Sequence, residues 1–480
     1  LLLSIVMPVL DTPAPILREA IASVRAQSHQ AWELCIADDA SSAAHIPIML
    51  ADDAAGDDRI KIVRLDRQTG IAAASNAALA LATGEFVAFL DHDDTLAPDA
   101  LARFAAELAN NPLLDMLFSD EDQLDEGGQC VSPYFKPGWN PDLLLGQNFV
   151  CHLACYRRSL IVELGGMREG FEGSQDFDLA LRAATVTPAR RIRHVAGVLY
   201  HWRRSAGSYS TARALACQET ARLALSEHLH GHASVLPNQA APQWSDAVFR
   251  LPDKHPLVSI VFSGQHRSLR DPLYKNVEVI VSGRRSNAES ARGTVLIFAG
   301  NITAEEPGWV GALVANALRP GVGCVGARID DSSGRLVHAG YVLDEARIAQ
   351  TLSPGSDAED PGYRGHFCLM RTVSAVSDAC FAIRRDIFLD AGGFDRRAGA
   401  YADIDLALRL AEKNLRCVWV PLARVRARGR LLPQDDPAGA AYMRERWQEA
   451  LAVDRYFNPL LTIRHGQLAL RSSLPERQMA

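Results

Sequence analysis

Short apolar runs alternate with amphipathic stretches through the first half of the chain, and this rhythm predicts the fold class. Leu2–Val9, Trp32–Ala37, Ile60–Leu65 and Glu85–Leu90 are near-continuous apolar runs of strand length, while Ile16–Gln27 and Ala72–Ala82 have helical period and composition. Buried strands separated by helices predict an open, mostly parallel α/β sheet. Such sheets bind ligands just outside the carboxyl ends of their strands, so the residues that follow each strand are the first candidates for chemistry.

The pattern occurs twice. Arg157-Arg158, Gly165-Gly166 and Asp176-x-Asp178-Leu-Ala-Leu-Arg182 return at one constant offset as Arg384-Arg385, Gly392-Gly393 and Asp403-x-Asp405-Leu-Ala-Leu-Arg409, and Ser4-Ile-Val6 returns as Ser259-Ile-Val261. The organisation expected is a first domain over 1–230, a linker over 231–256 marked by Pro237, Pro242, Pro252 and Pro256, a second copy over 257–430 and a helical tail over 431–480. Within the tail, Ala440–Phe457 reads as one helix bearing Tyr442 and Trp447 that packs on the second copy rather than on a membrane.

Composition narrows the class. A chain of 480 residues suits two or three domains, and 48% apolar with 22% charged residues excludes disordered, collagen-like and coiled-coil chains. Lys plus Arg number 50 against 57 Asp plus Glu, a net charge of −7, so nucleic acid is not an expected partner. Nine scattered cysteines without paired spacing read as reduced thiols in the cytosol, and Cys151 with Cys155 lacks the further ligands of a zinc site. The longest apolar stretch, Ile71–Leu90, is too polar to span a bilayer. The chain opens at Leu1 rather than methionine, which leaves open whether a segment precedes it. The expected location is cytoplasmic, with peripheral contact at the inner membrane left open, and the oligomeric state is not legible.

Four clusters carry candidate chemistry. Phe86–Leu90 delivers Asp91-His-Asp-Asp94 to a strand end, where two hard oxygen ligands one residue apart can share Mg²⁺ or Mn²⁺ and leave positions for a diphosphate. The same turn alone equally describes a solvated loop or helix cap. Glu33–Ala37 runs into Asp38-Asp39, carboxylates able to accept from a base or ribose. Gly70 precedes a helix carrying Asn76 and permits close backbone approach to a ligand. Asp176 opens a helix, either as its N-cap or as a general base. Arg190, Arg191 and Arg193, and His228, His230 and His232, read as solvated segments.

These motifs, in this order, resemble a family-2 glycosyltransferase with the GT-A fold: Ser4-Ile-Val-Met-Pro-Val9 its opening strand, Asp38-Asp39-Ala-Ser41 its nucleotide aspartates, Asp91-His-Asp93 its DxD, Gln175-Asp176 its base motif. Phe135-Lys-Pro-Gly-Trp-Asn-Pro-Asp142, Gly173-Ser-Gln-Asp176 and Tyr200-His-Trp-Arg203 resemble a two-domain branch associated with O-antigen and other surface-polysaccharide assembly. The resemblance implies a duplicated GT-A α/β fold and an inverting, metal-dependent transfer from a nucleotide-sugar donor to a glycan or lipid-linked acceptor. It makes Asp39 the partner of the base, lines the nucleotide with Pro8, Val9 and Asp11, and assigns metal and diphosphate to Asp91 and Asp93. His201 is a third metal ligand in some relatives, Asp176 is the base, and Trp139 and Gln175 lie on the acceptor side. Gln175 replaces the glutamate common in the base motif. Arg203 or Arg204 would offset charge on the leaving group.

The second copy is expected to be noncatalytic. Aligned segment by segment, it places Gly283 and Arg284 at Asp38 and Asp39, and Gly300 and Ile302 at Asp91 and Asp93. Two other classes stay open. A nucleotidyltransferase would want a glycine-rich loop after the first strand, where Leu10-Asp-Thr-Pro-Ala-Pro15 has none; a noncatalytic glycan- or nucleotide-sugar-binding protein would not need the full set of carboxylates. A dehydrogenase is disfavoured because no GxGxxG follows a strand.

Overall fold

The computed structural model describes residues 1–480 apart from 205–212, 263–268, 270, 282–289, 305, 353–354, 358, 429–435, 465 and 472–480. The chain forms two compact units, Leu1–Trp139 with Asn148–His230, and Asn140–Gln147 with Gly231–Ala480.

In the first unit, strands β1 (Leu3–Val9), β2 (Trp32–Asp38), β3 (Ile60–Arg64) and β4 (Phe86–Phe89) fall on the apolar runs, with helices α1 (Ala14–Arg25), α2 (His45–Gly56) and α3 (Ile71–Leu79) between them. These four strands are parallel, in the order β3-β2-β1-β4. The chain continues through β5 (Thr95–Leu96), α4 (Ala100–Asn110), β6 (Met116–Leu124), β7 (Cys130–Tyr134), the turn α5 (Pro141–Leu144), β8 (Ala154–Arg157), α6 (Arg158–Glu163), α7 (Gln175–Val186) and β9 (Ile192–Arg203). The sheet extends as β4-β8-β6-β9-β5, with β7 beside β6. β1 and β2 are buried along their whole length, as parallel strands covered on both faces must be. Leu17, Ile21 and Val24 of α1 and Leu101 and Phe104 of α4 close over them in one core.

The second unit opens with a hairpin, β10 (Ala233–Pro237) and β11 (Ser245–Phe249). Its main sheet uses β12 (Val258–Phe262), β13 (Val277–Val281), β14 (Val295–Ala299), β15 (Ile302–Thr303), β16 (Val322–Asp330) and β17 (Leu336–His338). A small hairpin, β18 (Tyr341–Asp344) with β19 (Ile348–Thr351), intervenes before β20 (Arg371–Val373), β21 (Cys380–Arg384) and β22 (Arg416–Ala427). The order β13-β12-β14-β21-β16-β22-β15 repeats β2-β1-β4-β8-β6-β9-β5 strand for strand, with the same parallel and antiparallel pairings along the shared path. The duplicated α/β architecture is therefore a property of the fold as well as of the motifs.

What the copies share is structural chemistry. Ser4 Oγ donates to Glu33 at 2.6 Å and accepts from Gly84 N at 2.9 Å; Ser259 Oγ donates to Glu278 at 2.6 Å and accepts from Gly293 N at 2.8 Å. The chains approach so closely that a Cβ at Gly84 would stand 2.8 Å from Leu2 O, and one at Gly293 would stand 2.9 Å from Leu257 O, which is why glycine occupies both places. Arg182 pairs with buried Asp178 and donates to the carbonyls of Leu164 and Gly166; Arg409 does the same with Asp405, Ala391 and Gly393. The repeated glycine pairs and Asp-Leu-Ala-Leu-Arg segments thus close each helix onto its preceding turn.

Three sequence expectations change. Residues 231–256 are not a bare linker but contain the β10–β11 hairpin, in which Pro237 sits at a strand end where no ladder hydrogen bond is forfeited. The second unit also claims Asn140–Gln147 from within the first repeat. There Asp142, fully buried, accepts from Thr372 Oγ1 at 2.6 Å and Arg416 Nε at 2.8 Å and ion-pairs with Arg319 at 2.7 Å, while Asn140 bonds both backbone groups of Thr372. The tail is a helix, Pro437–Ala452, followed by the hairpin β23 (Leu461–Arg464) and β24 (Gln467–Leu470). The helix packs on the second copy: Met443 and Leu451 are buried, Trp447 Nε1 donates to Asp405 at 3.0 Å, and Tyr442 bonds Asp395. Among the described residues no helix is long and apolar enough to cross a membrane.

Candidate functional site

The loops leaving β1, β2 and β4 gather at one end of the first sheet. Pro8 and Val9 end β1 opposite Ala37 and Asp38. Asp11 follows with a left-handed backbone (φ 48°), and its carboxylate accepts from Ala43 N at 2.8 Å and Ser42 Oγ at 3.0 Å. The Ala43 amide is the main reason its carboxyl lies below the ordinary range. Thr12 Oγ1 meets His92 Nδ1 at 2.7 Å, tying the β1 loop to the β4 loop. Asp38 receives Ser41 N at 2.9 Å and pairs with Arg64 at 3.0 Å. Asp39 accepts Thr69 N, Thr69 Oγ1 and Gly70 N at 2.7, 2.9 and 2.9 Å. A carboxylate offers about four acceptor sites, so Asp39 keeps capacity for one further donor. Gly70, at φ 93°, thus spends its amide within the protein, and Asn76 spends its side chain on both backbone groups of Met167.

The β4 loop concentrates negative charge. Asp94 is fully buried, accepting Tyr200 Oη at 2.5 Å and Arg203 N at 2.7 Å; burial, reinforced by Asp91 and Asp93, drives its carboxyl well above the ordinary range. Asp91 is also driven up, by burial first and then by Asp93 and Asp176, against the opposing charges of His152 and His92. The Tyr200 ring stacks on His152 at 4.6 Å. Arg203 braces the loop: Nε donates to Asp93 O at 2.9 Å and Nη2 pairs with Glu19 at 2.6 Å. His201 lies beside Thr95 of β5, yet its Nδ1 is bonded to Asp122 at 2.6 Å. Among the described residues, the group of three potential ligands within 4.8 Å of one another is Asp122, Cys130 and His201, to which Asp91 and Asp93 do not belong. The expected trio of Asp91, Asp93 and His201 is therefore not assembled, because the register of β6 on β9 hands His201 to Asp122.

Asp176 is not the N-cap of α7. That position is Ser174, and Asp176 stands in the first turn, where the helix dipole favours a carboxylate. Its Oδ2 accepts Asn148 Nδ2 at 2.8 Å. Asn148 Oδ1 is buried with no hydrogen-bond partner, leaving an acceptor beside the carboxylate. Gln175 folds back onto Gly173 N at 2.8 Å, and Trp139 rests on Phe149 at 6.1 Å. Sequence reasoning missed the frame behind these groups. Lys136, fully buried, ion-pairs with Glu121 at 3.0 Å and donates to the carbonyls of Cys151 and His152; Asp120 collects Lys136 N, Gly197 N and His194. The run Ser119-Asp-Glu-Asp122 at the end of an apolar strand was the available signal.

The second copy lacks this loop. With β4 matched to β14 and β5 to β15, Asp91–Asp94 are replaced by Gly300 and Asn301 alone, so Ile302 matches Thr95, not Asp93, and Ala427 matches His201. Gly283 and Arg284 lie outside the described residues. A cavity of about 530 Å³ in the second unit, lined by Leu343, Leu451, Asp454 and Arg471 among others, holds none of the carboxylates described above.

Residues 4–165 match the family model described as glycosyl transferase family 2. The first unit belongs to that family. The family-2 match and the sheet order identify its fold as GT-A. The chain is 34% identical to the uncharacterized protein y4gI of Sinorhizobium fredii (strain NBRC 101917 / NGR234), over 98% of this chain and 59% of that protein. It is 33% identical to the O-antigen biosynthesis protein RfbC of Myxococcus xanthus, over 98% of this chain and 41% of that protein. It thus spans about half the length of these relatives. Residues 1–349 of S. aureus TarS in complex with UDP-GlcNAc are 19% identical, covering 48% of this chain and 67% of that one at a TM-score of 0.40.

Proposed function

We propose that this family-2 unit transfers a sugar from a nucleoside-diphosphate donor to a hydroxyl of a glycan or lipid-linked acceptor, in surface-polysaccharide synthesis and with inversion. The observation that carries the reading is the meeting of two carboxylate systems at one sheet end: the Asp91–Asp93 pair, and Asp176 close enough for its charge to raise Asp91. Acids crowded in this way suit a cation, and Asp91 and Asp93 would hold Mn²⁺ or Mg²⁺. When bound, such an ion offsets the charge that gathers on a departing diphosphate.

The chain's own groups do the rest. Pro8, Val9 and Asp11 line the nucleotide, and the remaining acceptor site of Asp39 takes a donor from the base. Asp176, oriented by Asn148, accepts the proton of the acceptor hydroxyl, help worth about 10²- to 10⁴-fold. Attack from the face opposite the leaving group inverts the anomeric centre without a covalent sugar intermediate. Trp139 and Gln175 flank the acceptor. The second copy acts as a noncatalytic partner, a reading supported by the loss of Asp91–Asp94 from its loop. The likeness to an O-antigen biosynthesis protein supports the polysaccharide assignment, and nine free cysteines suit the cytoplasm.

The test is a panel of sugar nucleotides with Mn²⁺, scored by released nucleoside diphosphate and product mass. A transferred sugar of matching mass is the expected result. Donor binding without turnover across the panel would return the chain to the binding-protein class.

A further inference from the structure

We infer that the first unit carries a second metal site, separate from Asp91 and Asp93, in which Asp122, Cys130 and His201 bind a borderline-soft divalent cation of the Zn²⁺ type. The site is built on a sheet. β6 lies between β7 and β9, with Asp122 directly opposite His201 and Leu124 directly opposite Cys130. Side chains opposite one another, or two apart on one strand, share a face, so the three ligands project together from one face at one end. One carboxylate oxygen, one sulfur and one imidazole nitrogen lie within 4.8 Å of one another.

The spacing suits a tetrahedral ion. Metal–ligand lengths of about 2.0–2.3 Å put neighbouring ligand atoms about 3.3–3.6 Å apart. Cys130 Sγ already stands 3.7 Å from His201 Nδ1, and the 2.6 Å contact of His201 with Asp122 has only to open by less than about 1 Å as the ion takes the place of the shared proton. That proton and the one on the thiol pass to solvent. A thiolate beside an imidazole selects Zn²⁺ over the Mg²⁺ or Mn²⁺ that all-oxygen ligands prefer, and three protein ligands leave a fourth position for water.

Two further facts support a site rather than a chance cluster. Cys130 is the exposed one of the nine cysteines, so an ion can reach it. The second copy keeps the same strand order yet has Ala427 where His201 stands, so the fold itself does not require the trio. Because His201 pairs with Thr95, two residues beyond Asp93, occupancy would pin β6, β7 and β9 immediately behind the acidic loop.

Co²⁺ serves as the probe, titrated into the full chain under reductant with excess Mn²⁺ to fill all-oxygen sites. One equivalent should raise a near-ultraviolet thiolate-to-cobalt band together with visible bands of tetrahedral cobalt, both erased by Zn²⁺. Cys130→Ser should remove the thiolate band. His201→Gln should weaken Zn²⁺ by more than about 10-fold, the loss already typical of changes outside the ligand shell. Circular dichroism identical to that of the unaltered chain certifies each variant as folded. Cobalt bound without a thiolate band, or a band that survives Cys130→Ser, would overturn the site. Neither outcome touches the role of Asp91 and Asp93, which offer no sulfur.

Discussion

Replacing Asp142 by alanine should destabilise the second unit severely. The side chain is fully buried, and three donors converge on it: Thr372 Oγ1, Arg416 Nε and Arg319, at 2.6, 2.8 and 2.7 Å. Without the carboxylate, two guanidinium groups with side-chain exposures of only 12% and 23% face one another uncompensated. Removing one partner of a buried ion pair costs about 3–5 kcal/mol. For a unit of this size, each kcal/mol lowers the midpoint by about 2–4 °C, so the second unit's transition should fall by about 6–20 °C in calorimetry. Replacing all three together, Asp142→Leu with Arg319→Met and Arg416→Met, removes the stranded charges and should recover most of the loss. Acid supplies an independent check. Burial raises the Asp142 carboxyl, but Arg319 and Arg416 outweigh it and hold the group well below the ordinary range. Its contribution is therefore complete above the unfolded value near about pH 4 and drains away as pH falls below it. The alanine variant should lose that acid sensitivity. A loss under about 1 kcal/mol, the worth of an exposed pair, would refute the reasoning.

Asp176→Asn should cut transfer by about 10² or more while donor affinity holds, and Asn148→Ala, which deletes a hydrogen bond to a charged group worth about 1.5–3 kcal/mol, should slow it by about 10- to 150-fold. Transfer kinetics with separate donor titration decides both, and near-normal rates would remove Asp176 as base. Calorimetry of the full chain with its donor should give one nucleotide per chain, and two would show that the second copy had kept a site. Burial pushes Glu33 up, but Lys61, Ser4 and Thr83 prevail and hold it at about 2. Its stabilisation is therefore present above about pH 4.3 and lost as pH falls toward 2, so Glu33→Gln should flatten the acid limb of a denaturation series, and an unchanged limb would count against that role.

Much of the first unit was legible because parallel strands buried on both faces must be apolar, as β1 and β2 are, and because even the edge strand β3 keeps Ile60, Ile62 and Val63: β1 to β4 begin and end within a residue or so of the runs that predicted them. The repeat was legible for a related reason, since Arg182 and Arg409 each pair with an aspartate four residues earlier and grasp two carbonyls of the glycine-pair turn. What a linear reading could not see was partnership across the sheet. Asp39 and Gly70 were each singled out as ligand contacts, yet they bond one another. His201 was assigned to the acidic loop on motif order, whereas strand register gives it to Asp122. Asn148 carries no motif at all and matters only through its reach to Asp176. The match of Gly84–Asp94 to Gly293–Thr303 failed at Ile302 because a turn shorter by two residues leaves the apolar pattern on either side intact.

The assignment of Asn140–Gln147 to the second unit has a consequence for how such a protein can change over generations. The chain passes into the second unit, returns at Asn148, and crosses again at Gly231, so no single breakpoint separates the copies. A gene fragment ending at His230 would still encode Asp142 but not the Arg319, Thr372 and Arg416 that neutralise and bond it. Recombination that exchanged one copy for a foreign counterpart would have to bring a matching Asn140–Gln147 insert with it. Duplications usually free one copy to drift or depart; here the copy without the acidic loop is tied to the inheritance of the one that has it.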